Sequence, residues 1–453
     1  MISLVEHDPA GPQTDLVAQV RDIFSPQGLL SRASNFEYRR QQQDMAVAVA
    51  QALQNKDHLI VEAGTGVGKS LAYLIPGILY AVANKKKCVV STFTINLQEQ
   101  LTQKDLPMLE AILPVKFSFT MLKGRQNYLC TRRLKKAMQQ AEGLFTSSEG
   151  QELQRIYDWS KQTKDGSLSD FEHEPDPKVW AQVCSERGLC SPKLCGNKSD
   201  FAKEHGLCFF QRARNQIAAS DVLVLNHTLF FMHLGGIEEE VEGGVLFKND
   251  FVIFDEAHEM ESVAARHIGV NVSSGQMRYS LQRLWNPRTE KGLLSLVRKG
   301  AAVKLVAKLI EQSDEFFEHV EAACEELARA LDEPDFEEAP RSRSRKQKRD
   351  RAWSELRVRQ PDFVEDTITL PIQRLREAVS ELINLCNDKD TAQELLECNR
   401  RLAELRDELI TFLGQTAEHH VYWVERSGKS QRNLSLNAAP INVADFLRRR
   451  LFA

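Results

Sequence analysis

The chain has 453 residues, which at roughly 150 residues per domain points to about three domains. Apolar residues make up 42% and charged residues 27%, which excludes collagenous, low-complexity and wholly disordered classes. Basic and acidic residues nearly cancel, 59 against 63, so contact with nucleic acid must come from local patches and not from net charge.

Residues 1–33 read as a weakly patterned N-terminal segment. Its first ten residues carry Glu6, His7 and Asp8 and no apolar signal region, and no apolar run in the chain is long enough for a membrane helix. A cytoplasmic location without a membrane partner is expected. From Phe36 a helix is predicted, with Arg39, Gln42 and Met45 at spacing three, followed by Val47, Val49 and Leu53. Residues 58–62 form a short apolar run, predicted as a buried strand. A glycine-rich turn follows, and a helix opens at Lys69. Further short strands are predicted at 88–92, 117–122, 221–225 and 251–254. Strands alternating with helical patterns argue an α/β domain with a parallel sheet.

Between Cys130 and Arg214 the sequence turns polar and reads as an insertion between two strands. After Asp255 the pattern becomes helical. Val303, Val306, Ile310, Phe317, Val320, Cys324, Leu327 and Leu331 follow helix spacing. So do Ile368, Ile372, Leu375, Val379 and Leu382, with Pro371 near a helix start, and Leu395, Cys398, Leu402, Leu405 and Leu409. These stripes predict an antiparallel helical module. Residues 332–351 are acidic first and basic later, which predicts a loop between helices. Residues 421–425, 427–430 and 433–436 read as strand, turn, strand. No internal repeat is present.

Ala63-Gly64-Thr65-Gly66-Val67-Gly68-Lys69-Ser70 lies between a predicted strand and a predicted helix, the context a phosphate-binding loop requires. Its glycines let backbone N–H groups turn inward around a polyphosphate, and the helix N-terminus favours an anion. Lys69 supplies a charge for the β and γ phosphates, and the Ser70 hydroxyl can ligate Mg2+. The other half of an ATP site is an acidic group at a strand end. Asp255, after the apolar residues 251–254, supplies it and can hold Mg2+; Glu256 is placed to orient and deprotonate an attacking water.

Four of the nine cysteines, Cys184, Cys190, Cys195 and Cys208, fall in one short stretch. Without a signal segment, disulfides are not expected, and such a cluster reads as a metal or cluster site. Thiolates suit iron–sulfur clusters and zinc alike. Lys123, Arg125, Arg132, Arg133, Lys135, Lys136, Arg212 and Arg214 surround the cysteines, with Tyr128, Phe209 and Phe210 between them. A groove that tracks a phosphate backbone and stacks bases needs this mixture; a solvated surface over a local core is the alternative.

Asp255-Glu256-Ala257-His258 after such a loop resembles the DEAH-box helicases of superfamily two. Arg39, Gln42 and Met45 upstream, residues 91–101, Asn226-His227, residues 122–130 and residues 208–214 resemble the XPD/DinG group, and among these the bacterial DinG type. The resemblance runs with specific motifs from about Phe36 to Glu261, and weakly on to residues 439–441. It implies a RecA-like motor over 34–129 and 215–262, an iron–sulfur insertion over 130–214 and an all-helical arch-like module over 263–420. It further implies a return segment over 421–453 leading to a second motor. In this family Ala is common at the Ala63 position, Gln42 reads adenine, Thr92 and its neighbours touch a single strand, and His258 joins the catalytic set. Four cysteines hold a [4Fe–4S] cluster, here Cys130, Cys190, Cys195 and Cys208, with Cys184 spare.

The function so implied is an ATP-dependent DNA helicase and 5'-3' single-strand translocase. It would act on single-stranded DNA and on forked or R-loop duplexes, in repair or replication, at the bacterial nucleoid. No Ser-Ala-Thr tripeptide follows Asp255, and no arginine motif for a second motor is found. A second motor on a separate chain is therefore one expectation. The alternative is a nucleotide- and single-strand-binding module with an iron–sulfur or zinc site and little hydrolysis.

Overall fold

A computed structural model describes residues 15–33, 37–235, 251–297, 300–332, 353–428 and 432–451. The acidic-then-basic stretch 332–351 lies outside the described residues except for Asp332. The chain divides into two compact units, Met1–Lys123 with Ala213–Met260, and Gly124–Arg212 with Glu261–Ala453.

The first unit is built on four parallel strands: β1 Cys88–Thr92, β2 Phe119–Met121, β3 Val222–Asn226 and β4 Phe251–Phe254. Their order is β2-β3-β1-β4. β1 is flanked on both edges, and all five of its residues are buried. The register sets Thr92 opposite Asn226 and Ser91 opposite Phe254, so three strands reach their carboxyl ends at one level. The helix Arg40–Asn55 packs on the helix Lys69–Asn84, burying Ala46 and Ala50 against Leu74, Ile75 and Ile78. Met45, Val47, Val49 and Leu53 are partly buried against the same core.

Residues 58–62 do not form the predicted buried strand. They carry no strand, and Ile60 is 98% exposed. An apolar run becomes a buried strand only when a neighbour takes its backbone N–H and C=O groups. Among the described residues, β4 pairs with β1 alone, and nothing joins its other edge to residues 58–62.

In the second unit, Thr369–Leu385 and Lys389–Gly414 are joined by three residues and pack on each other. Their predicted stripes, from Ile368 to Leu382 and from Leu395 to Leu409, are buried. The 33-residue helix Gly300–Asp332 buries Val306, Phe317, Val320 and Cys324, but leaves Leu327 exposed. The module is not helical throughout. β5 Val270–Ser273 and β6 Glu355–Val358 join the hairpin β7 His420–Ser427 and β8 Asn433–Pro440 in an antiparallel sheet of order β5-β8-β7-β6. No described helix is long and apolar enough to cross a membrane.

A buried ionic network also holds this unit. Glu186, on the cysteine-bearing stretch, accepts from Arg283 at 2.8 Å through both oxygens, and pairs with Arg133 at 3.3 Å and with Arg401. Arg283 and Arg133 also pair with Glu394. Burial raises the Glu394 carboxyl, but the charges of Arg133 and Arg283 outweigh it and hold the group below its ordinary range. Removing one member strands the rest, because a buried charge without its partner keeps its desolvation penalty. All five tryptophans lie in this unit, so their fluorescence reports its unfolding alone. Arg283→Met should lower its stability to urea by about 3–5 kcal/mol. A loss below about 1 kcal/mol would mean that the network is not holding the unit.

Candidate functional site: a phosphate loop and a four-cysteine centre

In the first unit the glycine loop leads straight into a helix. Gly66 and Gly68 have φ of 82° and 85°, a region that favours glycine, and Lys69 opens the helix Lys69–Asn84. Gly64, Thr65 and Gly66 are exposed, while Ala63, Val67, Gly68, Lys69 and Ser70 are half-buried. Two upstream side chains brace the loop. Gln42, buried, donates from Nε2 to the Gly68 carbonyl at 2.9 Å, and the Arg39 guanidinium donates to the Gly66 carbonyl. Gln42 is thus engaged with the loop itself.

The acidic pair arrives from the far side of the sequence. The Asp255 N–H donates to the Ser91 carbonyl at 2.8 Å, continuing the β1–β4 ladder by one residue. The Thr92 hydroxyl donates to Asp255 Oδ2 at 3.3 Å. Glu256 turns the chain sharply, with φ of 54°, and its carboxylate meets Lys69 Nζ at 3.4 Å. His258 is 70% exposed and lies 3.6 Å from Glu256 and 3.7 Å from Glu259. Burial first, then the charge of Glu256, raises the Asp255 carboxyl above its ordinary range. A cation bound beside the two carboxylates would lower it again by favouring the charged form. Lys69, Asp255 and Glu256 therefore meet in one crevice at the strand ends, where parallel sheets bind ligands.

The second site lies in the other unit. The sulfurs of Cys130, Cys190, Cys195 and Cys208 are buried and all lie within 4.8 Å of one another. Cys130 precedes the helix Thr131–Gln139, Cys195 ends the short helix Pro192–Cys195, and Cys208 precedes the helix Phe209–Ala219. The closest sulfur pairs are Cys190–Cys208 at 3.4 Å and Cys130–Cys195 at 3.7 Å. Hydrogen bonding to Cys190, then to Cys195 and Cys208, raises the Cys130 thiol well above its ordinary range, and the same contacts depress Cys190. Four converging sulfurs fit a four-thiolate metal centre. A single ion with bonds of about 2.3 Å holds thiolates roughly 3.8 Å apart, close to the spacing seen here. A four-iron cube holds its thiolates further apart. Cys184 is outside the group, with its Sγ 3.8 Å from the Ala181 carbonyl.

Several of the basic and aromatic residues around the cysteines are taken up inside the protein. Lys123 is buried and paired with Glu99 at 3.0 Å, and Arg133 is locked in the ionic network. Arg132 pairs with Asp390, and Lys136 faces Asp388 at 3.9 Å. Tyr128, Phe209 and Phe210 are buried, and the guanidinium groups of Arg125 and Arg212 lie over Phe210 and Phe209 at 4.9 and 4.7 Å. Lys123, Arg133 and the three rings are interior structure, while Lys135 and Arg212 are exposed. Sequence reasoning missed the Arg39 brace and the buried Ser91–His227 contact; the Arg39 and Asn226-His227 motifs were the available signals.

Residues 40–150 match the DEAD/DEAH box helicase family. That stretch, which includes the glycine loop, is similar to a DEAD/DEAH box helicase domain. It is 35% identical over 265 residues to the ATP-dependent DNA helicase YoaA of Haemophilus influenzae, covering 58% of this chain and 39% of that protein. It is 36% identical over 275 residues to the ATP-dependent helicase DinG of Mycobacterium tuberculosis, covering 56% and 40%. A longer match, 25% identical over 437 residues and covering 92% and 45%, is to the 3'-5' exonuclease DinG of Bacillus subtilis. A solved XPD helicase overlays with a TM-score of 0.43 at 13% identity, covering 91% of this chain and 56% of that one. The chain spans about two fifths of the length of the YoaA and DinG helicases it matches.

The glycine loop depends on Gly68. A Cβ there meets Gln42 Nε2 at 2.2 Å, and the positive φ disfavours any other residue. Left-handed backbone costs about 1–2 kcal/mol for alanine, so Gly68→Ala should weaken MgATP binding about ten-fold by calorimetry. Unchanged affinity would show that the loop does not bind nucleotide in this conformation.

Proposed function

We propose that this chain is the ATP- and DNA-binding part of a DinG-like DNA helicase. The observation that carries the proposal is the meeting of Lys69 with Glu256 across 187 residues of sequence, beside Asp255, at the mouth of a glycine loop. Lys69 holds the β and γ phosphates. Ser70 and Asp255 hold Mg2+, Glu256 orients the attacking water, and His258 flanks Glu256. Gln42 reads adenine once it has released the Gly68 carbonyl. Thr92 and the residues after it touch a single strand, bringing the DNA grip within one residue of the Asp255 ligand.

Cys130, Cys190, Cys195 and Cys208 would hold a [4Fe–4S] cluster, tying three separate stretches of chain to one point. The relatives' names support a DNA substrate. The 5'-3' direction, the forked or R-loop targets, the repair role and the place at the nucleoid follow the resemblance of the motifs. A second motor, from further sequence or a separate chain, supplies arginines to the γ-phosphate. Such arginines contribute about 10³–10⁵ in rate, so residues 1–453 alone should bind MgATP and single strands yet hydrolyse slowly.

Lys69→Ala should weaken MgATP binding at least about ten-fold, the loss expected for a charged hydrogen bond. Equal binding by calorimetry would end the assignment. Protein made anaerobically should be brown, with about four irons per chain. Cys190→Ser should lose the iron and Cys184→Ser should keep it. Colourless protein with one zinc per chain would replace the cluster with a single ion, which the close sulfur spacing fits without any movement of the cysteines.

A further inference from the structure

His227 is the first residue of the helix His227–Gly235, directly after β3. No part of it reaches solvent. Its Nδ1 lies 2.7 Å from the Ser91 hydroxyl, and its Nε2, also buried, has no hydrogen-bond partner among the described residues. A buried polar atom without a partner is uncommon and asks for an explanation. Ser91 is also the residue whose carbonyl receives the Asp255 N–H. Two further rings lie near it: Phe93, 41% exposed, with centroids 6.4 Å apart, and Phe254, the last residue before Asp255, at 6.0 Å.

Burial holds the imidazole below its ordinary range, although the main chain at Glu256 and Asp255 favours the charged ring. In the tautomer where the Ser91 hydroxyl donates to Nδ1, the ring proton resides on Nε2. The main chain of Glu256 and Asp255 is near enough to act on the ring, while Nε2 itself makes no hydrogen bond among the described residues. Glu256 is the one residue of this turn in the left-handed region, a conformation that surrounding contacts must hold in place.

We propose that His227 is a positioning residue that couples the Phe93 segment to the Asp255–Glu256 turn, completing a hydrogen bond from Nε2 to that main chain when the turn closes on nucleotide. It rests on the proposed function in one respect: the residues after Thr92 touch the single strand, and Asp255 and Glu256 serve the phosphate. Ser91 and His227 form the bridge. A strand pressing on Phe93 shifts the ring, and the ring acts on the turn through Nε2. By linkage, nucleotide at the turn changes the affinity for the strand by the same factor.

The test is the coupling itself, measured on residues 1–453 by the anisotropy of a labelled short oligothymidylate, with and without MgATPγS. The parent should show a change in DNA affinity of about five-fold or more on adding nucleotide. His227→Asn keeps a group at the Nδ1 position and loses Nε2. It should bind oligothymidylate alone and MgATPγS alone within about two-fold of the parent, with the coupling reduced to about one. His227→Gln carries an amide at the Nε2 position and should regain part of the coupling. Ser91→Ala cuts the same bridge from the other end and should lose it.

Coupling retained in both His227→Asn and Ser91→Ala overturns the inference, as does a parent that binds both ligands without coupling. A purely structural histidine predicts a lower melting temperature with coupling intact, which also overturns it. A parent that binds neither ligand overturns the proposed function, and this inference with it.

Discussion

The level ending of three parallel strands is the constraint on which the rest of the first unit depends. Hydrogen bonding between β1, β3 and β4 fixes their register, and the register places Thr92, Asn226 and Asp255 at one edge. Shifting β4 by one residue would turn Phe254 outward and point Asp255 into the sheet. The chemistry needs a carboxylate beside Lys69, and the ladder bond from the Asp255 N–H to the Ser91 carbonyl puts it there. The helix Lys69–Asn84 then contributes its amino end and its lysine to the same edge. Two motifs far apart in sequence become one crevice through backbone geometry, before any side chain chooses a partner.

Local chemistry was legible in the sequence, and pairing was not. Gly66 and Gly68 take the left-handed backbone that a phosphate loop demands, because little else adopts it. The stripes from Ile368 to Leu382 and from Leu395 to Leu409 are buried as their spacing predicts, since a helix satisfies its own backbone and needs only an apolar face. Strands satisfy each other instead. Residues 58–62 have the composition of a buried strand and form none, while β5 and β6, four residues each, form strands that the sequence did not announce. Their partners lie well over a hundred and about sixty-five residues further along the chain.

Charge was the other illegible quantity. A sequence lists basic residues without saying what faces them. Arg133 and Lys123 are counted with Lys135 in a cationic stretch, yet the first two are buried against carboxylates from distant segments, while Lys135 is exposed. Basic residues contribute to DNA binding by releasing counterions from phosphates, and a guanidinium already neutralised inside the protein has no such part. The aromatic rings follow the same logic. Phe209 and Phe210 carry arginines over their faces, which leaves no face for a base.

The ionic network bears on the cysteine centre as well. The Cys190 N–H donates to the Glu186 carbonyl at 2.8 Å, so the backbone that presents one sulfur is held by the residue whose carboxylate receives Arg133, Arg283 and Arg401. Cys130 in turn precedes the helix that carries Arg133. Two of the four sulfurs are thus anchored through one set of buried charges. Apolar residues of similar volume would pack the same space with no desolvation penalty, but they would not fix which oxygen meets which nitrogen. Converging four thiolates on a point requires backbone placement finer than apolar packing imposes. Directional, paired charges impose it, and desolvating them costs stability that apolar packing would not.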